Sequence, residues 1–195
     1  MRSAVGKHSG EGPGDGATSE VAAFFDVLPG HQEELCTAAR RFTEAIRNLD
    51  PSIGIRTGLR DTRHVIFDNG FRLLWCASFE GRWDDWVDEG LFLIGADYFL
   101  DWLRHTAQGG GAGTATRGIS AQLKAILLSV QAEATAYFDP LGALTLPQVV
   151  KAQHLDRTVR QVLGNPSAGE ALRSPALEPL LRRISSANDG LEEAS

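Results

Sequence analysis

Val21-Ala-Ala-Phe-Phe-Asp-Val-Leu28 is an apolar run closed by Pro29-Gly30. A short apolar stretch ended by a turn pair predicts a buried strand over Val21–Leu28. The period then changes. From His31 to Leu49 the apolar positions are Leu35, Ala38, Ala39, Phe42, Ile46 and Leu49, one face of a helix. Asp50-Pro51 is expected to stop it, because the residue before proline avoids the helical region. Leu59–Phe67 and Phe71–Glu80 flank Asp68-Asn69-Gly70. Asn-Gly tolerates positive φ at both central turn positions, so these runs predict a hairpin, and a helix over 68–70 would overturn it. Trp83 to about His105 reads as a helix with Trp83, Trp86, Val87, Ile94, Tyr98 and Trp102 inward, weakened at Gly90 and Gly95.

Residues 108–118 are rich in Gly, Thr and Ala and read as a loop. Ile119–Val130 has helical periodicity through Ile119, Leu123, Ile126, Leu127 and Val130. Ala134–Phe138 is a short strand candidate before Asp139-Pro140. Thr145-Leu-Pro-Gln148 has a capping-box pattern with an early proline and opens a helix to Leu163. Ser174-Pro175 opens a last short helix with Leu177, Leu180, Leu181 and Ile184 on one side. The order is β-α-β-β-α-β, the plan of a ferredoxin-like α+β unit with a four-stranded antiparallel sheet and helices on one face. The expected organisation is a disordered leader over 1–19, the ferredoxin-like domain over 20–165, and a C-terminal helical arm and tail over 166–195.

Composition narrows the classes. No run of about 18 apolar residues exists, so no membrane span is expected. Met1–Glu20 has no apolar signal core, and a cytoplasmic placement follows as an expectation. A net charge of −6 argues against a nucleic-acid partner. Cys36 and Cys76 are too few for a disulfide framework or a four-cysteine zinc site.

The strand ending in Pro29-Gly30 before His-Gln-Glu-Glu-Leu35, the hairpin Arg63–Trp75, and Ala77-Ser-Phe-Glu-Gly-Arg-Trp-Asp-Asp-Trp-Val-Asp-Glu89 resemble a bacterial branch of the dimeric α/β-barrel superfamily. The resemblance covers residues 20–105 and, more weakly, 133–163. Three positions depart from the branch: Ser78 stands for Asn, Glu80 for Asp, and Arg60 for a frequent His. The superfamily includes dye-decolorising peroxidases, chlorite dismutases, haem-degrading monooxygenases and cofactor-free antibiotic-biosynthesis monooxygenases. The resemblance implies a homodimer whose two sheets face each other around a small cavity. One scaffold with many chemistries leaves the reaction to the site residues.

Strand alternation places Asp61, Arg63, Val65 and Phe67 on one face, and Arg60, Thr62, His64 and Ile66 on the other. Leu73, Trp75, Ala77 and Phe79 share a face, as do Ala22, Phe24, Asp26 and Leu28. An apolar cavity with a few convergent polar groups suits a small molecule. The candidate catalytic residues are Arg63 and Asp26, and the candidate ligand-binding residues are Phe24, Trp75, His64 and Trp83; an Asp–Arg pair that only fixes register is the plainer alternative. His154 is the candidate haem ligand, with a boundary histidine as its plainer role. Trp83 and Trp86 equally suit core packing. Asp84, Asp85, Asp88 and Glu89 spread around a helix start, so no metal site is expected. Gly109–Gly113 lacks the residues of a phosphate loop, and Cys76 reads as a buried structural thiol.

The leading expectation is an enzyme or binding protein for a small hydrophobic or aromatic molecule, with cofactor-independent, monooxygenase-like oxidation in secondary metabolism as the chemistry the resemblance implies. A haem-binding peroxidase-like protein is the alternative, and a non-catalytic ligand-sensing or interaction module is the third.

Overall fold

The computed structural model describes residues 14–15, 17–109, 118–165, 168–169, 173–179 and 181–183. The chain divides into two compact units, Met1–Pro147 and Gln148–Ser195. In the first, three nine-residue strands form the body of an antiparallel sheet: β2 (Thr18–Asp26), β3 (Leu59–Phe67) and β4 (Arg72–Glu80). Two short strands, β1 (Gly14–Asp15) and β5 (Gln131–Ala132), pair with the outer edge of β2. Read through β5, the order is β5-β2-β4-β3, an α+β arrangement compatible with the ferredoxin-like plan. The sheet is open. Its fourth long-range strand is only two residues and falls at Gln131–Ala132, not at Ala134–Phe138. Asp139-Pro140 and the turns after it draw the later residues away into a separate segment.

Asp68–Gly70 closes as a tight turn with φ of 53, 52 and 88° at its three residues. Phe71 N–H donates to the Asp68 carbonyl at 3.0 Å, which puts Asn69 and Gly70 at the central positions of a left-handed, hairpin-type turn. It is one 3-10 turn by its hydrogen bond, but its positive φ values make it the hairpin bend that Asn-Gly favours, and β3 pairs with β4 from Phe67↔Arg72 onward. A Cβ on Gly70 would also lie 2.8 Å from the Gln32 side chain.

Helix α1 (Gln32–Arg47) buries Leu35, Ala38 and Phe42, the expected stripe. Asp50, extended at φ −56° and ψ 133°, breaks the helical run after α1 as expected, and a second helix begins at once. The Asp50 carboxylate accepts from Ser52 N–H at 2.8 Å and Pro51 takes the first helical position of α2 (Pro51–Thr57). The Trp83–His105 segment is α3 (Trp83–Gly90), a π-helical stretch Leu91–Gly95, and α4 (Ala96–Leu103). The wider π turn and Gly95, at φ 108°, rotate α4 about its axis, so Phe99 is buried and the expected inward residue Tyr98 is exposed. Helix α5 (Ile119–Val130) buries Leu123 and Leu127. In the second unit, α6 (Leu146–Leu163, which begins in the first) buries none of its residues. Leu180 and Ile184 of the expected terminal helix lie outside the described residues, as does most of the leader. No described helix is long and apolar enough to cross a membrane.

The core lies between one sheet face and α1, α3, α4 and α5. Trp75 on β4 stacks near Trp86 (6.2 Å) and Trp102 (6.0 Å). Phe79 stacks on Trp86 at 4.3 Å, and Phe25 meets Trp102 edge-on at 5.3 Å. Such ring contacts add about 0.5–1.5 kcal/mol each beyond area burial. Trp75 Nε1–H donates to Thr62 Oγ1 at 3.1 Å, and the Thr62 hydroxyl donates to the Cys76 carbonyl at 3.1 Å.

His64 enters this core from β3, with Phe42 and Trp102 at 5.3 and 5.1 Å. Burial strips the hydration of the imidazolium and holds its pKa at about 4, against the usual 6.5. A depressed base binds protons less well folded than unfolded. Its contribution is therefore complete above pH 6.5 and lost as pH falls from 6.5 towards 4, about 3 kcal/mol in total. The His105 pKa is also lowered, by burial and then by His31, whose Nδ1 lies 3.0 Å from its own Nδ1. The urea midpoint is expected to drop between pH 7 and pH 5, and His64→Leu is expected to remove most of that slope. An unchanged slope in the variant would assign the titration to other groups.

Candidate functional site

The face of the sheet away from the helices is a lattice set by register. Glu20, Ser78 and Asp61 form one row across β2, β4 and β3. Ala22, Cys76 and Arg63 form the next, then Phe24, Leu74 and Val65, then Asp26, Arg72 and Phe67. Rows repeat every two residues, about 7 Å along the strands. Glu20, Ser78 and Cys76 are buried, whereas Asp61, Arg63, Arg72, Asp26 and Val65 are exposed.

At one end of this face the chain is clamped. A register irregularity between Leu59 and Asp61 turns Arg60 to the same side as Asp61, where strict alternation would have opposed them. Arg60 Nη2 donates to Glu80 Oε1 at 2.8 Å and Nη1 to Asp139 Oδ2 at 2.7 Å. Its guanidinium also donates to the Leu141 and Leu144 carbonyls. Glu80 Oε1 accepts from Leu146 N–H at 2.6 Å, and Asp139 accepts from the Thr18 hydroxyl at 3.0 Å. Four acceptors, Glu80 on β4 and three from residues 139–144, thus meet on one planar cation. This holds residues 139–146 across the end of the sheet beside Glu20.

Two groups on the face are electrostatically displaced. Burial raises the Glu20 pKa above the usual carboxylate value; the nearby Arg63 charge opposes this and Asp61 reinforces it. Glu20 Oε2 is buried without a hydrogen-bond partner among the described residues. Burial also raises the Cys76 pKa, against a hydrogen bond and charge from Arg63. Cys76 is a thiol at neutral pH, not a thiolate nucleophile. Beside them, Phe24 meets Phe67 edge-on at 6.2 Å, and the Arg72 guanidinium lies 5.6 and 5.5 Å from the two ring centres. The arrangement brings together an apolar seat, an exposed cation and a buried carboxyl group whose pKa is raised.

The residues expected from sequence are divided between the two sheet faces. Arg63 and Phe24 are on the uncovered face. Asp26 is there too, at the strand end, where Gln108 Nε2 donates to its carboxylate at 3.2 Å. Asp26 lies in the row of Arg72 and is two rows from Arg63, roughly 13 Å along the strands, so the two do not pair. Trp75, Trp83 and His64 are on the helix side. Trp75 and Phe79 lie on the face opposite Phe24, because β2 pairs Ala23, not Phe24, with Trp75. The tryptophans fill their space. The void beside Trp75, Trp86 and Leu123 is about 20 Å³, room for one water. His64 does not line that void, and the candidate haem ligand His154 stands exposed on α6 in the second unit. Among the described residues no three His, Cys, Asp or Glu side chains gather to hold a metal. Arg63 itself is exposed, not the buried guanidinium that its apolar neighbours Val65 and Phe67 suggest.

Sequence reasoning misses Glu20. Its strand begins at Thr18, three residues before the apolar run, and only the pairing Glu20↔Ser78 puts it beside Arg63. Alternation assigns Arg60 to the opposite face because a bulge leaves no mark in the period.

Replacing Arg60 by Met leaves Glu80 and Asp139 without their shared cation in a largely buried setting. The expected loss is about 3 kcal/mol or more in urea unfolding. Arg60→Lys keeps the charge but not the fork and is expected to recover only part of it. A loss below about 1 kcal/mol in Arg60→Met would show that the clamp is dispensable. Comparison of the chain with protein-family models, curated proteins and solved structures finds no match, so what these findings establish is an open antiparallel α+β sheet with one helix-packed face and one polar-studded face.

Proposed function

We propose that the uncovered sheet face binds a small aromatic molecule carrying an enolisable carbonyl group and moves a proton on it. The observation that carries this reading is Glu20, a carboxyl with a raised pKa and an unpartnered buried oxygen, in the row next to exposed Arg63. Phe24, Leu74 and Val65 form the seat for the apolar body. Arg63 cannot lose its proton and so suits the developing oxyanion, while Glu20 suits the acid–base role. Direct reaction of the resulting carbanion with oxygen is the further step implied by the resemblance to cofactor-independent monooxygenases. A second copy facing the first would roof the same apolar seat, and a dimer in light scattering is the outcome this reading favours.

The test is a thermal-shift and oxygen-uptake screen with hydroxylated aromatic ketones. Because Arg63 is exposed, Arg63→Leu is expected to leave unfolding within about 0.5 kcal/mol. Binding should weaken about tenfold or more, the scale of a lost charged hydrogen bond. Glu20→Gln is expected to abolish turnover and raise stability at pH 7. A raised carboxyl pKa costs folded stability as pH rises from 4.5 through the folded value, and the amide escapes that cost. Binding unchanged in Arg63→Leu, or Glu20→Gln destabilising with activity intact, would remove the site from this face.

A further inference from the structure

On the helix side, a groove of about 380 Å³ runs between α1 and β3, separated by the sheet from the face described above. Helix α1 lines it with Cys36, Arg40, Thr43 and Arg47, spaced four, three and four residues apart, a single helix stripe. Strand β3 contributes His64 and Ile66, alternate residues of its helix-facing side.

The charges in this groove are unbalanced. Neither Arg40 nor Arg47 joins an ion pair among the described residues, although Arg41, one residue away, is paired with Asp101 at 2.8 Å. Among the described residues Glu44 is the only acid lining the groove, which leaves two guanidinium groups against one carboxylate on a chain of net charge −6. Exposed arginines without partners are common on protein surfaces. Here they flank a recess of ligand size, and its floor is the His64 ring, whose Nε2 is buried without a hydrogen-bond partner among the described residues. Burial keeps that ring neutral at pH 7. The floor is thus uncharged at pH 7, and Arg40 and Arg47 stand about two helix turns apart on the α1 wall, with Glu44 between them in sequence. Seven residues of helix separate the two arginine backbones by about 10 Å, which their side chains can shorten.

We propose that this groove binds a small dianion with a short apolar body, its two charged ends held by Arg40 and Arg47 and its middle over Ile66 and the His64 ring. A guanidinium at each end matches two carboxylate or phosphate groups by paired hydrogen bonds, whereas a monoanion engages only one.

Cys36 is the reporter, because it is half-buried in the groove while the chain's other thiol, Cys76, is buried. The probes are straight-chain dicarboxylates from succinate to suberate, with acetate as the monoanion at matched ionic strength. The readout is the rate of Cys36 alkylation in a Cys76→Ser background, with saturation followed by calorimetry. At least one dicarboxylate is expected to slow alkylation about tenfold at ten times its dissociation constant, and acetate is not. The protection is expected to vanish in the Arg40→Gln, Arg47→Gln double variant and to persist in Arg63→Leu, which separates this site from the other sheet face. Protection by none of the dicarboxylates, equal protection by acetate, or protection that survives the double variant would overturn the proposal. Circular dichroism of the double variant, in which only exposed side chains change, distinguishes loss of binding from loss of fold.

Discussion

The packing around Trp75 sets the two faces of the sheet apart. Trp75 sits at the centre of the sheet, 2% exposed, with Trp86 and Trp102 stacked around it and its indole nitrogen bonded to Thr62. Filling the helix side with rings leaves a void for about one water. The aromatic wealth of the sequence is therefore packing, and the face proposed to bind an aromatic ligand lies behind it, on the other side of β4. Strand parity does the rest. Once Trp75 faces the helices, Leu74, Cys76 and Ser78 face away, and register brings Phe24, Arg63 and Glu20 to meet them.

The Arg60 clamp then gives that second face its asymmetry. One end is crossed by residues 139–146, tied through Glu80, Asp139 and backbone carbonyls, and there Thr18, Glu20 and Ser78 are buried. The other end stays exposed at Val65, Arg72 and Asp26. A carboxyl at the covered end is desolvated while a cation one row away reaches solvent. That gradient separates the carboxyl proposed to carry a proton from the cation proposed to hold an anion. Both properties come from placement, since neither Glu nor Arg is unusual in itself.

Much of this fold is legible in the sequence because its signals are local. Asn69-Gly70 specifies the hairpin bend, the Leu35–Phe42 stripe specifies α1, and Ile119–Val130 matches α5 end to end. The failures share one cause: they depend on relations between elements. Period-two alternation sorts residues within β2 and within β4, but only register says that Ala23, not Phe24, joins Trp75. The bulge after Leu59 moves Arg60 across the sheet, and the π turn before Gly95 exchanges Tyr98 for Phe99. Asp50-Pro51 does stop α1, but the new helix that Pro51 opens, capped by Asp50, is not legible in the period. Glu20 lies beyond the apolar run that marks its strand, so its burial cannot be read from its neighbours.

The proposed ligand face is the one opposite Trp75. Methyl-labelled NMR tests it most directly, by recording intermolecular contacts between a bound hydroxylated aromatic ketone and the protein methyl groups. The account predicts contacts to Leu74 and Val65, with none to Ile94, Leu123 or Leu127. Contacts to the latter three would place the ligand among the tryptophans and contradict it.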